Sequence, residues 1–178
     1  SNTDSALVST QISLVYGNLN KELYKKFFLT KAEIEACEDG YIYVHDMSAR
    51  RDTMNCCLCD VGAVMSNGFE MGNLWYNEPK TLDTAFDVLG DVMINTAAMQ
   101  YGGFTVPEVD TILKQYAKKS YNKYYEEYME ITNAKTTAKA EDYAWRKTRR
   151  ECEQGYQGIE YKLNSVGSSR GDYPFVTF

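Results

Sequence analysis

Asn55-Cys56-Cys57-Leu58-Cys59-Asp60, running on into Val61-Gly62-Ala63-Val64, is the stretch on which the fold turns. It lacks a helical spacing of apolar residues and reads as a strand over 55–64. Successive side chains on a strand point to opposite faces, so Cys56 faces one way and Cys57 and Cys59 face the other. That sets one thiol apart from two that pack. The plain alternative is three small buried hydrophobes. Neighbours on one strand lack disulfide geometry. With Cys37 and Cys152 standing alone, the five cysteines read as reduced thiols in a cytoplasm. Structural zinc needs four well-spaced ligands. The single histidine, His45, and the lack of a second cysteine pair argue against such a site within the chain.

Upstream, Tyr41-Ile42-Tyr43-Val44 is aromatic and β-branched and predicts a strand ending at His45-Asp46. His45 is then either a functional group at a strand end or a side chain bonded to the next turn. Thr30 and Glu33 form a capping box for a short helix closed by Gly40. Val8, Ile12, Val15, Leu19 and Leu23 make a helical stripe that continues to Phe27-Phe28.

Downstream, Asn67-Gly68 and Gly72-Asn73 mark turns. Thr81 caps a long helix with Leu82, Phe86, Leu89, Met93 and Ala97 on its buried face, ended by Tyr101-Gly102-Gly103. On that helix Asp83, Asp87 and Asp91 read as a solvated acidic face. Thr105 and Glu108 suggest a second capping box, opening a helix that uses Val109, Ile112, Leu113, Tyr116, Tyr124 and Tyr128. Residues 132–141 read as an exposed connection. A third long helix carries Ala144, Thr148, Cys152, Tyr156, Ile159 and Leu163 on one face, and Gly155 and Gly158 inside it imply close packing against a neighbour. The Gly167–Asp172 loop has amides and hydroxyls suited to a phosphate or ribose, or is a plain turn. Phe175-Val176-Thr177-Phe178 is a strand.

Composition bounds the rest. The 178 residues are 44% hydrophobic and 25% charged, which is globular. Nineteen basic against twenty-five acidic residues leave a net charge of −6, which argues against a nucleic-acid surface. No apolar run spans a bilayer and no signal segment opens the chain, so no membrane contact is expected. Long helices alternating with short strands predict an α/β sheet, and a strand in the last residues suggests a piece of something larger.

These segments, in order, resemble the early part of the catalytic subunit of the anaerobic (class III) ribonucleoside-triphosphate reductase family of glycyl-radical enzymes. The resemblance rests on Tyr41–Asp46, Asn55-Cys56-Cys57-Leu58, Gly68-Phe69-Glu70-Met71-Gly72-Asn73, Pro79–Ala85, Gln100-Tyr101-Gly102-Gly103, Leu163-Asn164-Ser165 and Pro174–Phe178. It implies that residues 1–178 are one segment, the first part of a ten-stranded α/β barrel. It implies conversion of ribonucleoside triphosphates to deoxyribonucleoside triphosphates. A glycyl radical, installed by a radical-SAM activating enzyme, generates a thiyl radical elsewhere in the parent enzyme. An early-strand cysteine after an asparagine, here Cys56 after Asn55, assists loss of the 2′ hydroxyl. Formate or a dithiol protein completes the reduction. His45, Asn55, Ser168, Ser169 and Gly171 are the implied substrate-binding residues. The resemblance also implies dNTP and ATP effectors, a homodimer, and a C-terminal zinc site outside these residues. The segment itself is expected to bind no cofactor and no metal. It lacks the thiyl cysteine and the glycyl-radical loop, so the chain alone is expected to be inert. A stand-alone nucleotide-binding or dimerisation module, or another glycyl-radical enzyme, are the competing readings.

Overall fold

The computed structural model describes residues 4–50, 53–133, 137–167 and 173–178. The chain opens with helix α1 (Val8–Phe28) and helix α2 (Lys31–Glu38). The capping box at α2 is complete: the Thr30 hydroxyl accepts from the Glu33 amide at 3.3 Å, and the Glu33 carboxylate accepts from the Thr30 amide at 2.7 Å. The α1 stripe is helical as its spacing requires. Yet Val8, Ile12, Val15 and Leu19 are all exposed among the described residues.

Residues 41–44 are not a strand. They pair with no other described segment, and Tyr41 and Tyr43 are exposed. β-branched and aromatic content favours a strand only where a neighbour supplies the ladder, and none of the described segments does so. The strand expected over 55–64 is also shorter. Strand β1 is Cys57–Leu58, and helix α3 (Val61–Ser66) follows at once. Asp60 is the reason. Its carboxylate accepts from the Ala63 amide at 3.0 Å and caps the helix.

A hairpin of β2 (Phe69–Met71) and β3 (Leu74–Tyr76) turns at Gly72-Asn73, with Gly72 at φ 65°. Helix α4 (Leu82–Met99) then crosses the molecule. Its predicted core face is buried in full, together with Ala85, Val88 and Val92. It packs on α5 (Val109–Thr132) and α6 (Thr137–Ser165) and reaches the sheet through β4 (Phe104–Thr105). The core also gathers Val61, Met65, Phe104, Val106, Leu113, Tyr116 and Ile159. Each large side chain so buried contributes about 1.5–3 kcal/mol.

The second capping box does not form. Thr105 lies in β4, and Glu108 adopts a left-handed φ of 51°, so it stands at the helix entry rather than inside the first turn. Helix α6 begins at Thr137, within the expected polar connection, because Ala138, Lys139, Ala140 and Glu141 are good helix formers and Ala140 is buried.

The sheet runs β1-β4-β5, all parallel, with β5 at Val176–Thr177. Parallel neighbours need long crossovers. Here α3, the hairpin and α4 make the first, and α5 and α6 the second. The mixed α/β class is therefore as read from the sequence.

Candidate functional site

The alternation argument holds at β1. Cys56 and Leu58 are exposed, while Cys57 and Cys59 pack against the core. Burial pushes the Cys57 and Cys59 thiols above the usual range, with smaller contributions from neighbouring Cys56 at Cys57, and from Cys57 and Asp60 at Cys59. All five cysteines are free thiols.

The neighbourhood of Cys56 is set by an irregularity in the ladder. Met54 bridges Gln100, and Cys57 pairs with Phe104. Two residues, Asn55 and Cys56, therefore face three, Tyr101, Gly102 and Gly103, which is a β-bulge. The Tyr101 amide donates to the Met54 carbonyl at 2.8 Å and the Gly102 amide to the Asn55 carbonyl at 2.7 Å. The chain then kinks, and the Gly103 amide turns to the Cys56 sulfur at 3.4 Å. The ladder resumes with the Cys57 amide donating to Gly103 at 3.0 Å. The Cys56 thiol lies 3.6 Å from Asn55 Oδ1, to which it donates.

Asn55 lines a cleft of about 190 Å³ with Asp46, Ala49, Arg50, Thr53 and Tyr101. Ala49, Thr53 and Tyr101 also border a larger groove of about 500 Å³ against α1. His45 is not among the lining residues of either. Its ring is 73% exposed, with Nδ1 2.5 Å from Asp46 Oδ2. Asp46 takes up a left-handed φ of 53°, and Arg50 reaches back to the His45 carbonyl at 3.4 Å. Of the predicted site residues that are described, only Asn55 lines the cleft; Cys56 is held against the Asn55 side chain without lining it, and His45 stands outside. Ser168, Ser169 and Gly171 lie outside the described residues. Among the described residues, no three His, Cys, Asp or Glu side chains gather as a metal site requires.

Sequence reasoning missed the bulge, the buried Gln100 beside it, and Arg50 and Thr53 in the cleft. In the sequence, Gln100-Tyr101-Gly102-Gly103 reads as a helix stop and as one of the motifs of the resemblance, with no part in the site. The available signal was the doubled glycine, since one suffices to end a helix.

A second cleft, of about 380 Å³, lies between α4 and α6. Asp83 and Asp87 face Lys147, Arg150 and Lys162 across it. Beside it Asp91 is held by Lys162 at 2.9 Å. The acidic face of α4 is thus partly paired. Gly155 and Gly158 line this cleft but differ. A Cβ on Gly155 would fall 2.0 Å from the Phe86 ring, whereas one on Gly158 would meet nothing within 4 Å. Close packing explains Gly155 and does not explain Gly158.

No helix among the described residues is long and apolar enough to cross a membrane. Comparison with known proteins places the chain. The family model for anaerobic ribonucleoside-triphosphate reductase matches residues 1–178. The anaerobic ribonucleoside-triphosphate reductase of phage T4 is 35% identical over 181 residues, and that of Salmonella typhimurium 32% over 179. Each alignment covers 99% of this chain but only 29% and 25% of those proteins. The crystal structure of the Thermotoga maritima anaerobic ribonucleotide reductase in complex with dATP and CTP superposes with a TM-score of 0.66 at 16% identity. It covers 97% of this chain and 28% of that one, and it shows the shared fold. The chain belongs to the anaerobic ribonucleoside-triphosphate reductase family, of whose matched members it spans about a quarter of the length.

Proposed function

We propose that residues 1–178 are one segment of the catalytic domain of an enzyme that reduces ribonucleoside triphosphates to deoxyribonucleoside triphosphates, and that Cys56 is its substrate-facing thiol. The observation that carries this reading is the separation of thiols on β1. Cys56 is exposed beside Asn55 and its cleft, whereas Cys57 and Cys59 are turned into the core. A radical carried on a glycine elsewhere in the complete enzyme supplies the hydrogen abstraction that opens the reaction. Cys56 gives its one thiol proton to the departing 2′ hydroxyl, which leaves as water, and the sugar radical takes its hydrogen from the external reductant. Asn55 offers an amide for a sugar hydroxyl, and the loop with Ser168, Ser169 and Gly171 serves the same substrate. His45, exposed and tied to Asp46, contributes from the rim.

Electrons come from formate or a dithiol outside the segment. The same reading makes nucleotides the effectors, a radical-SAM enzyme the activator and a second copy the dimer partner. Neither radical carrier lies among these residues, so the segment alone is inert.

The test is Cys56→Ser in the complete enzyme. Turnover is lost while the glycyl radical, read by electron paramagnetic resonance, still forms. Cys57→Ser retains most activity, because that side chain only packs. Wild-type turnover in Cys56→Ser would refute the assignment.

A further inference from the structure

We infer that Gly102 is a positioning residue for the Cys56 thiol, and that Gln100 and the Gly103 amide complete the device. The inference rests on the reading of Cys56 as the substrate-facing thiol. A Cβ on Gly102 would lie 2.5 Å from Cys56 Sγ, 2.5 Å from Asn55 Oδ1 and 2.9 Å from the Asn55 backbone carbon. The first two contacts are with both side chains of the Asn55-Cys56 pair. The third is with backbone, which cannot swing aside as a flexible side chain does. No other residue type fits at 102 without moving the thiol.

The neighbouring glycine is different. A Cβ on Gly103 would meet only the Phe175 carbonyl, at an ordinary 3.5 Å. What Gly103 contributes is its amide, which donates to Cys56 Sγ at 3.4 Å, while the thiol donates to Asn55 Oδ1 at 3.6 Å. One donor to the sulfur and one acceptor for its proton define the direction of the S–H bond. Gln100 anchors the arrangement from below. It is only 1% exposed, and its Nε2 donates to the Gly102 carbonyl at 2.9 Å. Two glycines that share a helix stop thus have distinct duties. One leaves room for the thiol and the other orients it.

The experiment compares Gly102→Ala, Gly103→Ala, Gln100→Met and Cys56→Ser in the complete activated reductase carrying this segment. Three readouts are taken: deoxynucleotide turnover, glycyl-radical yield, and the rate at which iodoacetamide labels Cys56 relative to Cys57 in the same chain. Gly102→Ala is expected to lower turnover at least tenfold with unchanged radical yield. Its Cys56-to-Cys57 labelling ratio falls at least threefold, because the sulfur loses its amide donor. Gly103→Ala, which keeps the amide, stays within twofold on every readout.

Turnover and labelling both within twofold of wild type in Gly102→Ala would overturn the inference. So would equal damage from Gly103→Ala. If Gly102→Ala yields no radical and so has not folded, Gln100→Met decides. It introduces no clash at 102 and frees the Gly102 carbonyl, so a fall in the labelling ratio supports the device and an unchanged ratio overturns it. Wild-type turnover in Cys56→Ser would instead sink the underlying reading of Cys56. The labelling ratio reports thiol geometry without reference to turnover, so the two failures are distinguishable.

Discussion

Replacing Gly155 by alanine should destabilise the protein, and replacing Gly158 by alanine should stabilise it. Both positions lie in the interior of α6, one turn apart. Alanine there gains about 1 kcal/mol of helix propensity over glycine at either site. At Gly158 nothing stands within 4 Å of the new Cβ, so the gain is kept. At Gly155 the new Cβ would fall 2.0 Å from Phe86 Cδ2, and 2.4 Å from Cε2 and Cγ. Phe86 cannot yield easily. It is buried in the core, and its ring packs edge-on to Tyr156 with centroids 4.9 Å apart. Forcing extra volume into a packed core costs typically about 1–3 kcal/mol. A contact this short belongs at the upper end, so the net loss is about 2 kcal/mol after the propensity gain. For a chain of this size that is a fall of about 4–8 °C in melting temperature. Gly158→Ala should raise it by about 2–4 °C. Thermal unfolding by circular dichroism gives both numbers, and hydrogen exchange along α6 localises the change. A Gly155→Ala protein as stable as wild type, or two variants shifted in the same direction, would refute the packing argument.

Half-buried Tyr124 and buried Tyr116 should behave oppositely on loss of the hydroxyl. Tyr124 donates to Glu151 and its pKa is driven well above the ordinary value, chiefly by burial and then by that carboxylate, so Tyr124→Phe costs about 1–3 kcal/mol by urea titration. The buried Tyr116 hydroxyl has no hydrogen-bond partner among the described residues, so Tyr116→Phe is neutral or stabilising in the same titration. Asp83 gives an acid-side test. Burial works to raise its carboxyl, but hydrogen bonds from Thr81 and Thr84 and the charge of Lys123 hold it below its usual value. A depressed folded pKa means that stability is fully present above the unfolded value of about 4 and is lost as pH falls through the folded one. Asp83→Asn should therefore lose about 0.3–1 kcal/mol at neutral pH and show a shallower decline in stability below pH of about 4.

The helices were legible because their signals are local. The α4 core face, the Thr30 capping box and the span of α1 follow from spacing and from side chains three or four residues apart. Strand alternation at 56–59 was legible for the same reason, and it correctly separated Cys56 from Cys57 and Cys59. The family could be read from motifs in order along the chain, because similarity of sequence needs no coordinates.

What the tertiary structure decided depends on partners distant in sequence. Residues 41–44 have strand composition but no described strand beside them, and pairing, unlike helix propensity, is not a property of the segment alone. Gly155 and Gly158 are identical as letters. Only the placement of Phe86, far away on α4, makes one of them obligatory. The thiol site shows the same division. The sequence singled out Cys56 and Asn55 as candidates, but the Gly103 amide that donates to the Cys56 sulfur comes from 47 residues away. It arrives there because parallel strands joined by a long crossover meet out of step by one residue, and a register between distant strands is set by packing rather than by neighbouring letters.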